Sequence, residues 1–276
     1  MESRVKMAAS IKHVRLLSVM QKRFVFDVGI VLSIPRVCHQ LYRGRLSWHG
    51  IRYFSSNESY RSNTGTRKYW DDFYNERKSA SGQSFDWFFA HDVANQWLAE
   101  CIFTGKTGRV NVVNVLELGC GTSTLASNLL KGNGDIMSVV CLDFALSAVG
   151  QAQSISRKIC SSGRESLQFI AADASRLPFR NDQFDVVFEK GTFDAMLNGG
   201  RSGLARLSFG ETVRVLSSQG IFLQFSDENP DIRLSFLEEA LRESGMDRTQ
   251  ASVTFQDVGC SYGVEYFLYS TKLSKL

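Results

Sequence analysis

The stretch that most constrains this chain is Val112–Ser127, VVNVLELGCGTSTLAS. An apolar run carrying one acid, Glu117, reaches Leu118, breaks at Gly119-Cys120-Gly121 and resumes through Thr122–Ala126. That is the pattern of a buried strand, a glycine turn and the first turn of a helix. Glycines without a Cβ let backbone approach a ligand closely. The helix start beyond them offers N–H groups with no partner inside the helix. Thr124 stands where the third glycine of a dinucleotide fingerprint would fall, so the glycine turn alone leaves the ligand open.

From there the chain alternates. Helical periodicity covers residues 124–131, closed by Gly132 and Gly134, and 145–161, closed by Gly163, then 204–216 and 232–244. Apolar strand segments cover 136–142, 167–171, 184–188 and 220–225. Two segments, 251–258 and 262–271, alternate in β fashion around Gly259-Cys260-Ser261. Alternation of this kind predicts a Rossmann-like α/β fold, a doubly wound seven-stranded sheet closed by a C-terminal antiparallel hairpin. Ligands of such sheets lie outside the carboxyl ends of the strands, where the strand order reverses. The candidate residues are therefore the ones that end each strand.

Asp143, followed by Phe144, ends the second strand 22 positions after Gly121. A carboxylate there can accept hydrogen bonds from both hydroxyls of a ribose. Asp173 ends the third strand between Ala172 and Ala174; its carboxylate can accept from an adenine amine while a small neighbour leaves room for the ring. Glu117 lies inside an apolar run, where a charge needs a partner. Each acid has a structural alternative. Asp143 and Asp173 can cap helices, and Glu117 can be a paired strand-end acid. Together with the glycine turn they favour an adenosyl pocket. Ser226–Asp227 is expected to cap the helix that Pro230 opens, and His91 to be a packing or solvent-facing residue.

Ten of the 32 Lys and Arg lie in residues 1–54, with only two of the 28 acids, so the remainder is mildly acidic. That argues against a nucleic-acid partner, which would require a basic footprint. Ile11, Val14 and Leu17 can share a helical stripe with Lys12 and Arg15 off it, and Arg52-Tyr53-Phe54-Ser55-Ser56 resembles a matrix-peptidase cleavage pattern. Residues 1–54 therefore read as a mitochondrial transit peptide, the alternative being a basic tail that binds something acidic. The apolar part of Phe24–Ile34 is far shorter than the roughly 20 residues a membrane span needs, so no membrane partner is expected. Six cysteines include no C-x-x-C pair, which leaves zinc and thioredoxin readings unsupported. Residues 55–109 read as a flexible lead-in and helical cap. Trp70, Phe73 and Tyr74 share a helix face, Val93, Trp97 and Ile102 or Cys101 face inward from a second helix, and residues 104–109 link into the opening strand. Phe85-Asp86-Trp87-Phe88-Phe89 packs four aromatics between those helices, either stapling the segment to the core or offering Trp87 and Phe88 to a cationic ligand. Residues 110–276 complete the domain.

Glu117-Leu-Gly-Cys-Gly-Thr122, acids ending the second and third strands and the terminal hairpin resemble the class I S-adenosylmethionine-dependent methyltransferases. Tyr69-Trp70…Phe73-Tyr74, Phe85-Asp86-Trp87-Phe88 and Glu189-Lys190-Gly191-Thr192-Phe193-Asp194-Ala195 are similar to the methyltransferase-like protein-lysine group. Gln224–Leu234, Tyr262–Phe267 and the basic arm resemble its mitochondrial branch, for which the resemblance implies a matrix location and citrate synthase as protein substrate. The resemblance implies S-adenosyl-L-methionine without a metal. It places Glu117, Gly119, Cys120 and Gly121 at the methionine end, Asp143 and Phe144 at the ribose and Asp173 and Ala174 at the adenine. Glu189, Lys190 and Asp194 would position substrate, with Glu189 also beside the cofactor, and Trp87 and Phe88 would line the lysine channel. Lys190 and Asp194 could equally form a mutual surface ion pair. The Asn-Pro-Pro-Tyr tetrad of amide and base methyltransferases is absent at 189–192. The competing readings are a nicotinamide oxidoreductase, a methyltransferase of an elongation factor or a small molecule, and a non-catalytic assembly factor of the same fold.

Overall fold

The computed structural model describes residues 63–80, 84–103, 112–131, 133, 136–160, 166–247, 249–261 and 263–275. The proposed transit peptide, most of the lead-in, the link at 104–109 and Gly132, Gly134 and Gly163 lie outside them. Two helices, α1 (Arg67–Ala80) and α2 (His91–Phe103), precede the sheet. There follow β1 (Val113–Leu118), α3 (Leu125–Leu130), β2 (Met137–Asp143), α4 (Leu146–Ile159), β3 (Leu167–Ala171), β4 (Phe184–Lys190), α5 (Thr192–Asn198), α6 (Ser202–Val215), β5 (Leu216–Ser226), α7 (Pro230–Glu243), β6 (Ala251–Ser261) and β7 (Val264–Leu273).

The seven strands form one sheet in the order β3-β2-β1-β4-β5-β7-β6. β1 to β5 pair in parallel, and β7 runs antiparallel between β5 and β6. The C-terminal pair is therefore threaded into the sheet, with its later strand innermost. The expected turn at Gly259-Cys260-Ser261 is instead continued strand. A register shift between Asp257 and Gly259 leaves Val258 without a partner across the ladder, Gly259 pairs with Tyr266, and the reversal comes after Ser261. Strand order reverses between β1 and β4, which puts the switch point beside the glycine turn.

Helices cover both faces, so the central strands are apolar on both. Odd residues of β1, Val113 and Val115, join Val139, Cys141, Val186 and Phe188 against α2 and α3. Even residues Leu116 and Leu118 join Phe193, Phe209, Phe222 and Leu237 against α5, α6 and α7. α2 buries Ala94, Leu98 and Ile102, one residue off the face expected from Val93 and Trp97. The small Ala94 carries little hydrophobic signal but allows close packing. α5 was not expected from periodicity: seven residues between Gly191 and Gly199 are too few to show it. α7 is capped by Asn229, whose side chain accepts from Asp231 N, with Pro230 in its first turn; Ser226–Asp227 is not the cap.

Candidate functional site

A cavity opens where β1, β2 and β4 end. Its lining includes Glu117, Gly119, Cys120, Gly121, Asp143, Phe144, Asp173, Ala174 and Lys190. With Trp87 from the aromatic segment, ten of the expected site positions thus converge. Gly119 and Gly121 have φ of +63° and +51°, a region costly for a residue with a Cβ. A Cβ on Gly119 would collide with Thr192, and one on Gly121 with the Tyr74 hydroxyl. The turn is bare backbone pressed between two walls.

Asp143 is 5% exposed. Its Oδ2 accepts from Gly121 N at 2.9 Å and its Oδ1 from Ala145 N at 2.8 Å. It fixes the glycine turn to the start of α4 while lining the cavity. Burial pushes its carboxyl up to about 6, against the pull of those two N–H groups. Asp173 is exposed at the rim, and its Oδ1 accepts from Ser175 N and Oγ at 2.9 and 2.7 Å. Glu117 is 4% exposed, with a single contact from Cys141 Sγ to its Oε2 at 3.4 Å. Burial raises its carboxyl to about 8. Cys120 is pulled down by the Cys141 thiol but pushed by burial up to about 11, so it stays a neutral thiol.

The facing wall is aromatic. Trp70, Tyr74, Phe85 and Trp87 line it, with ring centroids 5.9 Å apart for Trp70–Trp87 and 5.5 Å for Phe85–Trp87. Its segment is tied to the glycine turn after β1 and to the end of β4. Phe85 N donates to Thr122 Oγ1 at 3.0 Å, and Ser123 Oγ to Asp86 Oδ1 at 2.6 Å. Lys190 Nζ donates to Asp86 Oδ1 at 2.9 Å and to Phe89 O at 2.8 Å. Gly191 has φ +85°, and a Cβ there would strike the Trp87 ring.

Three expected site residues do not reach the cavity. Glu189 is fully buried on the opposite face of β4. Its Oε2 accepts from Thr192 N and Phe193 N at 2.7 and 3.3 Å, and its Oε1 from Gln224 Nε2 at 3.2 Å. It caps α5, and burial holds its carboxyl above the usual range. Asp194 is paired with Arg233 at 2.6 Å and with Ser226 Oγ at 2.5 Å. It therefore does not pair with Lys190, which belongs to Asp86 on the other face of the sheet. Phe88, at φ +65°, packs against Tyr266 at 5.4 Å and does not line the cavity, whereas Phe85 does. His91 Nδ1 lies 3.4 Å from Thr124 Oγ1, outside the cavity.

Sequence reading missed the N-terminal side of the site. Thr64 Oγ1 donates to Ala195 O at 3.0 Å, and Trp70 Nε1 to Thr64 O at 2.6 Å. Gly65 meets Gly199 backbone to backbone. The spacing of Trp70 and Tyr74 marked a buried face, but nothing local showed that this face was the cavity wall.

A model of a methyltransferase domain matches residues 110–258. The human protein named citrate synthase-lysine N-methyltransferase CSKMT, mitochondrial, is 32% identical over 209 residues, 72% of this chain and 83% of its own. The Danio rerio protein of the same name is 32% identical over 219 residues, 75% and 83%. Among solved structures, the [4+2]-cyclase SpnF superposes with a TM-score of 0.57 at 14% identity, over 78% of this chain and 97% of its own. That likeness shows the fold alone.

Proposed function

This chain belongs to the methyltransferase-domain family and is an S-adenosylmethionine-dependent protein-lysine N-methyltransferase, and we propose that it methylates a lysine of citrate synthase in the mitochondrial matrix. The names of its relatives and the length of both chains covered support the substrate. The basic composition of residues 1–54 supports the address. On this reading residues 1–54 are the transit peptide, 55–109 the cap and 110–276 the methyltransferase domain.

The observation that carries the site is the cavity, with bare glycine backbone and acids on one wall and latched aromatic rings on the other. The residues present fit an adenosyl ligand with a cationic end. Gly119 and Gly121 admit it against the main chain. Asp143 and Asp173 offer acceptors to the ribose and the adenine, with Phe144 and Ala174 beside them. Glu117 and Cys120 would hold the methionine end. When bound, the cofactor supplies an electrophilic methyl group on sulfur. The protein aligns the attacking amine and removes water. A free lysine has a pKa near 10.4, so presenting it neutral at pH 7.4 costs about 4 kcal/mol. Desolvation by Trp87 and Phe85 lowers that cost. Lys190 positions this wall through Asp86 and Phe89.

The full chain, incubated with methyl-labelled cofactor and a matrix extract, tests the reading. Label at a single lysine of citrate synthase is the expected outcome. Label confined to another protein or to small molecules overturns the substrate, and binding of a nicotinamide dinucleotide in place of the cofactor overturns the class.

A further inference from the structure

Two non-glycine residues among those described have positive φ, Phe88 at +65° and Asp182 at +54°. A short polar residue such as Asp visits this region at low cost, whereas a bulky aromatic is an outlier there. Phe89 N donates to Trp87 O at 2.8 Å across Phe88. That bond closes a three-residue γ-turn of the positive-φ kind, which is rare and strained. Such strain persists only where the surroundings over-determine it. Lys190 Nζ donates to Asp86 Oδ1 and to Phe89 O, one on each side of the turn. The Phe88 ring lies 5.4 Å from that of Tyr266, which is 6% exposed. Tyr266 faces Gly259 across the hairpin, a residue with no side chain to compete for the ring.

We propose that Phe88, which lies outside the cavity, is the positioning residue for its aromatic wall: contact with Tyr266 stabilises the strained turn, and the turn holds the Trp87 indole against Gly191. An extended chain would send residues 87 and 89 to one side and 88 to the other. The turn breaks that alternation. Trp87 lines the cavity, while Phe88 and Phe89 both pack on Tyr266, at 5.4 and 5.3 Å. The backbone at this position suits glycine, and the packing suits an aromatic ring. An aromatic pair and a left-handed residue have effects of similar size and opposite sign, so the ring offsets the strain. Without it the turn relaxes to extended backbone and Trp87 leaves Gly191. The turn stands on this geometry alone; its consequence for cofactor and attacking amine rests on the function proposed above.

The test compares the native full chain with Phe88→Ala and Phe88→Gly, each carrying 5-fluorotryptophan, with the Trp87 line assigned by Trp87→Phe. In fluorine NMR without ligand, Phe88→Ala should move the Trp87 line toward the solvent-exposed position. Phe88→Gly should keep a larger share at the native position. Calorimetry with S-adenosylmethionine should rank the native chain first and Phe88→Gly about fivefold tighter than Phe88→Ala. Left-handed backbone is costly for alanine and not for glycine, and apparent affinity scales with the fraction in the competent conformation. A residue that only fills space gives the opposite order, because glycine buries less than alanine and loses more chain entropy. An unmoved Trp87 line in Phe88→Ala overturns the proposal, as does Phe88→Ala binding as tightly as Phe88→Gly or more so. Should Phe88→Ala not fold, Tyr266→Leu takes its place: a displaced Trp87 line supports the proposal and an unmoved one overturns it. A set of chains that shows the expected fluorine pattern but binds no S-adenosylmethionine supports the turn and overturns the cofactor reading.

Discussion

Removing one ammonium measures how firmly the aromatic wall is held. The Lys190 side chain is 4% exposed and that of Asp86 16%. Lys190→Met keeps the length of the stem and deletes the charge. Asp86 is left with the Ser123 hydroxyl at 2.6 Å, and Phe89 O loses its donor. Breaking a buried pair from one side costs about 3–5 kcal/mol. Asp86 retains some access to water, which argues for the lower end, about 3 kcal/mol. For a chain of this size that is a drop in Tm of roughly 6–12 °C. Asp86→Asn in the Lys190→Met background removes the stranded carboxylate and keeps an acceptor for Ser123. It should recover about 1–2 kcal/mol, because the pair's own coupling, not the sum of two losses, sets the cost. Urea unfolding of the native chain, both single variants and the double variant closes the cycle. Titration with S-adenosylmethionine reads the wall itself, and both single variants should bind it more weakly as Trp87 and Phe85 lose their anchor. A Lys190→Met variant within about 0.5 kcal/mol of native, or a double variant as unstable as the sum of the singles, would refute the latch.

Gly191→Ala should lose about 1–2 kcal/mol from its left-handed backbone and displace Trp87, weakening cofactor binding in calorimetry, whereas Gly203→Ala, with open space around its Cβ, should leave binding unchanged. Arg233→Met strands Asp194 in the core and should cost about 3–5 kcal/mol by denaturant unfolding, while the folded fraction keeps native cofactor affinity because neither residue lines the cavity. The ligand-free protein should become less stable as pH rises from 6 to 9. The carboxyls of Asp143 and Glu117 are raised to about 6 and about 8, so the folded chain holds their protons more tightly than the unfolded chain. Their contribution is complete below the ordinary carboxylate range and is lost as pH passes through those values. Thermal melts should show Tm falling across this range, with a flatter upper part in Glu117→Gln; a Tm that rises from pH 6 to 9 would contradict the assignment.

What the sequence made legible was set by how local each signal is. A central parallel strand must be apolar on both faces, so β1 and β2 emerged to within a residue of their ends and β3 to the residue. Asp143 and Asp173 were found because each closes such a run, with no partner needed to see it. Glu189 looked the same by that criterion and was misplaced for a definite reason. β4 runs on to Lys190, and successive side chains of a strand point to opposite faces. Lys190 shares the face of Val186 and Phe188, which is also the face of Glu117. Glu189 shares the face of Val187, beside Leu118 and Gln224. An error of two residues in the strand's end therefore turned a helix-capping acid into an apparent site residue, and paired Lys190 with an acid on the wrong side of the sheet. The true partner, Asp86, lies 104 residues earlier in the chain. Nothing in the spacing of either residue points to the other, because that distance is closed by strand order alone. The aromatic segment was legible as apolar mass, yet which of its rings face the cavity depends on this one ion pair and on the left-handed backbone at Phe88. Those two features turn Trp87 inward and Phe88 toward Tyr266. The aromatic wall is thus built by tertiary contacts on a floor of glycine turn and acids that the local sequence already specifies, so on the proposed reading substitutions in the wall change what is methylated while the glycine turn and its acids stay fixed.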